Sequence, residues 1–182
     1  MVSMKRLCYA VGFVGALALA PAPAEATIIE FEATDLLDFV AGDDLWMYRY
    51  FVSDFVFDAD QGFSISFDTA LYRNLQDPLP SVGADWDLLA IQPSQALPSA
   101  GLYDALALVK DASLKHPFSL SFTWLGGPGS APGSQTFTVN QFDEKGNIKI
   151  LERGQTSQVP EPSTLLLVGS GLALALRRRR GA

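Results

Sequence analysis

Cysteine and histidine are almost absent from this 182-residue chain. The single cysteine, Cys8, lies in an N-terminal segment that reads as a removable leader, so the remaining chain holds no disulfide and no thiolate chemistry. The single histidine, His116, precedes Pro117 at the entrance to an expected strand. One histidine without cysteine excludes the usual zinc ligand sets, and no Gly-x-Ser-x-Gly elbow accompanies it. A Ser-His or Cys-His nucleophile is therefore not expected. Basic residues are also scarce. Between Thr27 and Gln158 there are eighteen acidic and seven basic residues, a net charge of −11. Nucleic-acid binding needs a basic footprint and is excluded on this balance. Long amphipathic helices are missing too; the patterning between the two ends has a period of two.

What is present first is a leader-like N-terminus. Lys5 and Arg6 precede an apolar stretch from Leu7 to Ala20, and Ala24-Glu25-Ala26 is a small-x-small cleavage sequence. Order and length are those of a secretory signal peptide over residues 1–26, with cleavage set by Ala24 and Ala26 and the mature chain starting near Thr27.

The other end has three parts. Val159-Pro160-Glu161-Pro162 is stiff and extended, because two prolines fix their own φ and push the preceding residues out of the helical region. Ser163, placed to cap a helix, opens an uncharged apolar run that includes Leu165, Leu166, Leu167, Leu172, Leu174 and Leu176. Fourteen helical residues rise about 21 Å against a hydrocarbon core of about 30 Å. Snorkelling arginines and local thinning close the difference. Arg177, Arg178, Arg179 and Arg180 follow, and a block of four arginines resists translocation. The expectation is an inner-membrane span with everything before Val159 on the far side.

Pro-Glu-Pro, an apolar helix and an arginine cluster in this order resemble the PEP-CTERM protein-sorting signal of exported proteins of Gram-negative bacteria. The resemblance covers residues 159–182. It implies recognition of Pro160, Glu161 and Pro162 by a transpeptidase-like membrane enzyme, exosortase. It further implies removal of the tail and delivery to the cell surface or extracellular matrix. It implies no biochemical activity for the residues before it.

Those residues read as one all-β domain over 27–153, an antiparallel β-sandwich or jelly roll, with a polar linker at 154–158. Strands are expected at Ile28–Ala33, at Leu45–Phe57 with a bend near Ser53-Asp54, at Phe63–Phe67, Leu88–Ile91, Tyr103–Lys110, Phe118–Trp124, Thr136–Phe142 and Ile148–Leu151. Tyr48, Tyr50, Phe63, Phe67, Phe118 and Phe122 fall on the apolar phase of this alternation. A helical turn is expected at Asp35–Phe39, a short surface helix at Ala70–Leu75, and a hairpin from Phe118 to Ile150.

Three constellations bear on the domain's role. Asp58-x-Asp60-x-Gly62 places two carboxylates in a tight turn, a speculative calcium site, although aspartate and glycine are also ordinary turn formers. Trp46, Tyr48, Tyr50, Trp86 and Trp124 could stack on sugar rings if exposed, although aromatics at period two are more often core; Trp86, between Asp85 and Asp87 in an expected loop, is the best placed. Paired carboxylates would serve glycoside hydrolysis, but eighteen acids single out no pair. The expectation is a non-enzymatic, cofactor-free exported protein with a structural or adhesive domain. The alternatives are a carbohydrate-binding module of an exopolysaccharide matrix and a polysaccharide-active enzyme.

Overall fold

A computed structural model describes residues 27–160 except 39, 41, 78–81, 97 and 128. The expected leader, the apolar run and the arginine cluster lie outside the described residues. Ten strands form two sheets, and the described residues contain no helix. The strands are β1 (Ile28–Asp35), β2 (Leu45–Ser53), β3 (Gln61–Phe67), β4 (Tyr72–Gln76), β5 (Trp86–Ile91), β6 (Gly101–Ala107), β7 (Phe118–Trp124), β8 (Thr136–Phe142), β9 (Ile148–Gln155) and β10 (Ser157–Gln158). One sheet runs β10-β1-β2-β7-β4 and the other β5-β6-β3-β8-β9. All neighbours are antiparallel except β1 and β10, which are parallel.

Alternation chooses the buried faces. Tyr48, Tyr50 and Val52 of β2 point inward with Phe118, Leu120, Phe122 and Trp124 of β7. Phe63, Ile65 and Phe67 of β3 face them from the second sheet with Tyr103, Ala105 and Ala107 of β6. The two inner faces meet ring against ring. Phe63 meets Phe118 edge-on at 4.8 Å, and Tyr50 stacks on Tyr103 at 6.4 Å. Such pairs add to simple area burial by about 1 kcal/mol each. The sheets leave no room at position 62, where a Cβ would overlap the Ala105 carbonyl of the neighbouring strand.

Several expected elements differ. Ala70–Leu75 is not helical; it contains the start of β4. Tyr72 and Leu75 are both buried three residues apart, which mimics a helical face. The true cause is a bulge between Arg73 and Gln76 with Asn74 at φ +54°, which turns both residues to the same side. The Asp35–Phe39 helical turn is absent over its described part, since β1 runs to Asp35 and Leu36 N–H bonds the Leu45 carbonyl at 2.8 Å. The expected bend occurs at Asp54, with φ +58°, but Phe55 to Phe57 do not pair as strand. Phe57 is buried as a plug instead, its ring 5.3 Å from that of Trp86. β6 stops at Ala107, before exposed Leu108 and Val109. Phe118 to Ile150 is not a hairpin, because β7 and β8 lie in different sheets. Residues 154–158, expected as linker, are mostly strand: β9 runs to Gln155 and β10 follows after Thr156. β9 is an exposed edge strand whose second half, Glu152 to Gln155, is polar, so its continuation past Leu151 carries no apolar alternation to read.

Phe63 sits where Phe57, Trp86 and Phe118 converge. Phe63→Ala is expected to lower unfolding free energy by about 4 kcal/mol, read by urea denaturation. A loss under 1 kcal/mol would mean the two inner faces do not share this core.

Candidate functional site

The sorting-type residues emerge from the sandwich at a defined junction. β9 ends at Gln155 on one sheet, and Thr156 carries the chain to the other. Thr156 is buried, its N–H donating to the Gln135 carbonyl at 2.8 Å while its Oγ1 accepts from the Gln135 N–H at 2.9 Å. Ser157 and Gln158 then pair with Glu30 and Phe31 of β1. Val159 N–H donates to the Phe31 carbonyl at 2.9 Å. Pro160 has no N–H to give, so the ladder ends there and Pro160 is exposed. Of the expected sorting residues, Val159 and Pro160 are thus fixed beside β1. Glu161, Pro162, the leucines and the arginines lie outside the described residues.

Gln135 ties this crossing to the core. Its side-chain nitrogen donates to Tyr48 Oη at 2.6 Å and Tyr72 Oη at 3.1 Å and also meets the Gly133 carbonyl, while its oxygen accepts from Tyr50 Oη at 3.1 Å. Tyr48 Oη donates to the Gly133 carbonyl at 2.8 Å. Three phenols and one amide therefore satisfy one another between the sheets, as buried polar groups require. Burial, reinforced by the other phenols, pushes Tyr48 and Tyr50 far above the usual tyrosine range, and burial likewise raises Tyr72. Nothing in the sequence singled out Gln135 or Thr156; both sit in polar runs that read as loop.

Beside this network a groove of about 470 Å³ opens, lined by Asp68, Thr69, Tyr72, Ser99, Gln135 and Thr136 among others. Asp68 is the one carboxylate in its lining, and Oδ1 of that residue is engaged by Ala70 N–H at 2.8 Å. A facing pair of carboxylates, as the enzyme alternative needs, is not assembled there.

The other candidates resolve individually. Trp86 is 6% exposed and belongs to β5, so it is not a sugar platform. Its ring packs edge-on against Phe118 at 5.0 Å and its Nε1 donates to the Ser113 carbonyl at 2.9 Å. The flanking aspartates misled: Asp85 is a loop tie that accepts from Ser113 N–H at 3.1 Å. Tyr48, Tyr50 and Trp124 are also buried, and half-buried Trp46 donates to Asp44 at 2.6 Å. Asp58 and Asp60 are exposed in the turn before β3, where Asp60 has φ +65° and the Asp58 carbonyl accepts from Gln61 N–H at 3.1 Å. Among the described residues no group of three acidic, histidine or cysteine side chains converges. His116 lies exposed in the turn before β7.

All four tyrosines among the described residues are buried, Tyr103 included, and all have raised pKa values. A phenol whose folded pKa lies above its unfolded value of about 10 contributes stability that is complete below pH 10 and lost as pH rises beyond it. Absorbance of phenolate is expected to stay flat until the domain unfolds in alkali, in one step with loss of the β signal. Gradual phenolate formation in the folded protein would contradict this network. Gln135→Ala, which strands the Tyr50 hydroxyl and takes a donor from Tyr48 and Tyr72, is expected to cost about 2 kcal/mol in chemical denaturation.

Comparison with known proteins bears on the two parts separately. No curated protein sequence matches the chain. Among solved structures, a cohesin module from the family 33 glycoside hydrolase of Clostridium perfringens aligns with a TM-score of 0.40 and 8% identity, covering 73% of this chain and 96% of the module. A likeness of that size carries no argument. Residues 158–180 match the family model of the PEP-CTERM protein-sorting motif. The match begins at Gln158, inside β10, so the motif starts on the folded sheet itself. The chain therefore carries a PEP-CTERM protein-sorting motif, the mark of an exported protein that exosortase-type machinery processes on its way to the cell envelope or surface.

Proposed function

We propose that the sandwich is the cargo of this motif. It is an exported domain held transiently in the inner membrane through Leu165–Leu176 and Arg177–Arg180. It is then released from that tail near Pro162 into the surface layer or exopolysaccharide matrix, where it serves a structural or adhesive role without catalysis. The observation that supports this reading is the seamless junction. The motif match starts at Gln158, which pairs with β1, so the last strand of the domain runs directly into the motif. The aromatic core is closed and His116 is exposed with no nucleophile motif beside it, which favours a structural module, while a second groove of about 490 Å³ gathers Asp38, Asp43 and Asp44 and is where the enzyme alternative would have to act. The carbohydrate-binding alternative loses its stacking residue with Trp86 in the core.

The test is intact-mass and C-terminal peptide analysis of the protein from its native host, in inner-membrane, outer-envelope and medium fractions. A species lacking Leu165–Ala182 is expected in the outer envelope or the medium. Persistence of the tail through Arg180 in the inner-membrane fraction alone would overturn the reading. Replacing both Pro160 and Pro162 by alanine is expected to leave the tail attached while the domain still folds, since the last described ladder bond is donated by Val159, before either proline.

A further inference from the structure

Glu152 is an acid in an unusual place. In the β8–β9 register it opposes Val139, which is fully buried, so its side chain is on the inward phase of an edge strand. It is half-buried there. Among the described residues the ion pairs are Arg49–Glu32 and Arg73–Asp43, and neither involves Glu152. What Glu152 holds instead is the first residue before β1. Its Oε2 accepts from the Thr27 backbone nitrogen at 3.1 Å and from Thr27 Oγ1 at 2.7 Å. Thr27 is itself only 5% exposed. Both donors to this oxygen come from Thr27, and among the described residues no cationic side chain pairs with it.

Thr27 is also the residue that follows the small-x-small sequence Ala24-Glu25-Ala26. These two facts come from different sources, spacing in the chain and geometry in the fold, and they meet at one atom. We propose that Glu152 is the receptor for a new N-terminus: hydrolysis of the Ala26–Thr27 bond leaves an α-ammonium on Thr27 that pairs with the Glu152 carboxylate.

The step balances simply. A leader peptidase adds water across the peptide bond, Ala26 departs with a carboxylate, and the Thr27 nitrogen takes up a proton. With an ordinary pKa of about 7.7–8.0 the amine is mainly charged at neutral pH. An amide donor becomes a cation in the same position, and the hydrogen bond becomes a charge-assisted one. The burial of Thr27 also orders the events. A peptidase needs an extended substrate, and the folded state hides this residue, so cleavage precedes docking of β1 against β9. Docking of the released terminus then closes the sandwich at the corner where β1 starts. This inference rests on the export reading above but concerns the N-terminal end of the chain rather than the sorting motif. A retained C-terminal tail would sink that reading and leave this one standing.

The test uses the full chain with its own leader, expressed in an exporting Gram-negative host. Peptide mass analysis is expected to find the N-terminus at Thr27; any other start overturns the proposal. The folded protein is then exposed at neutral pH to a limiting amine-acylating reagent, and modification of the α-amine is followed by mass. An adjacent carboxylate holds the amine protonated, so Glu152→Gln is expected to raise the α-amine labelling rate about fivefold, with Glu152→Asp falling between. Thr27→Val, which removes only the hydroxyl bond, is expected to label slowly like the wild type. Equal rates for wild type and a folded Glu152→Gln variant overturn the proposal. Should Glu152→Gln fail to fold, a second chain carries one glycine inserted between Ala26 and Thr27, which moves the amine away without touching Glu152. It is expected to melt below the wild type, and an equal melting temperature overturns the pairing.

Discussion

Everything in this domain depends on the contact between two aromatic inner faces. With no cysteine after Cys8, nothing covalent joins the sheets. The core divides into two linked ring clusters. One gathers Phe57, Phe63, Trp86 and Phe118. The other gathers Tyr48, Phe67, Tyr72, Phe122 and Trp124. Edge-to-face and tilted contacts dominate both, as ring quadrupoles favour. The second cluster carries the phenols, and their hydroxyls are why Gln135 has to lie between the sheets. Each buried oxygen demands a partner, and Gln135 supplies both a donor and an acceptor from one short loop.

That requirement also fixes the exit of the chain. Because Gln135 engages Thr156 through its backbone on both sides, the crossing from β9 to β10 cannot drift. The position of Pro160 follows from it. Packing in the core is thereby coupled, through one amide and one threonine, to the presentation of the sorting motif.

Residues with strict alternation were legible from the sequence. Phe63, Ile65 and Phe67, or Phe118, Leu120, Phe122 and Trp124, can satisfy a half-buried strand in only one phase, and the structure uses that phase. The motif at the C-terminus was legible because its order of parts is itself the signal. Legibility failed where another constraint replaced periodicity. The bulge at Asn74 gave β4 a helix-like spacing. The polar second half of β9 and two-residue β10 carry no apolar alternation, and β10 is defined by pairing with β1, a neighbour far away in sequence. Trp86 was misplaced because its flanking aspartates suggested solvent, whereas Asp85 is spent on Ser113. The Glu152–Thr27 contact spans 125 positions and joins two ordinary residues; only the fold brings them together.

The parallel pairing of β10 with β1 has a mechanical consequence. A load that follows the chain out of Pro160 runs along β10 and parallel to β1, so it is directed across the hydrogen bonds at Ser157, Gln158 and Val159 rather than along them. Such bonds are strained together and slide, instead of opening one after another like a zipper. Behind them Thr156 is anchored inside the core. The last few residues thus form a short tether graded in strength, compliant at the exposed pair and firm at the threonine.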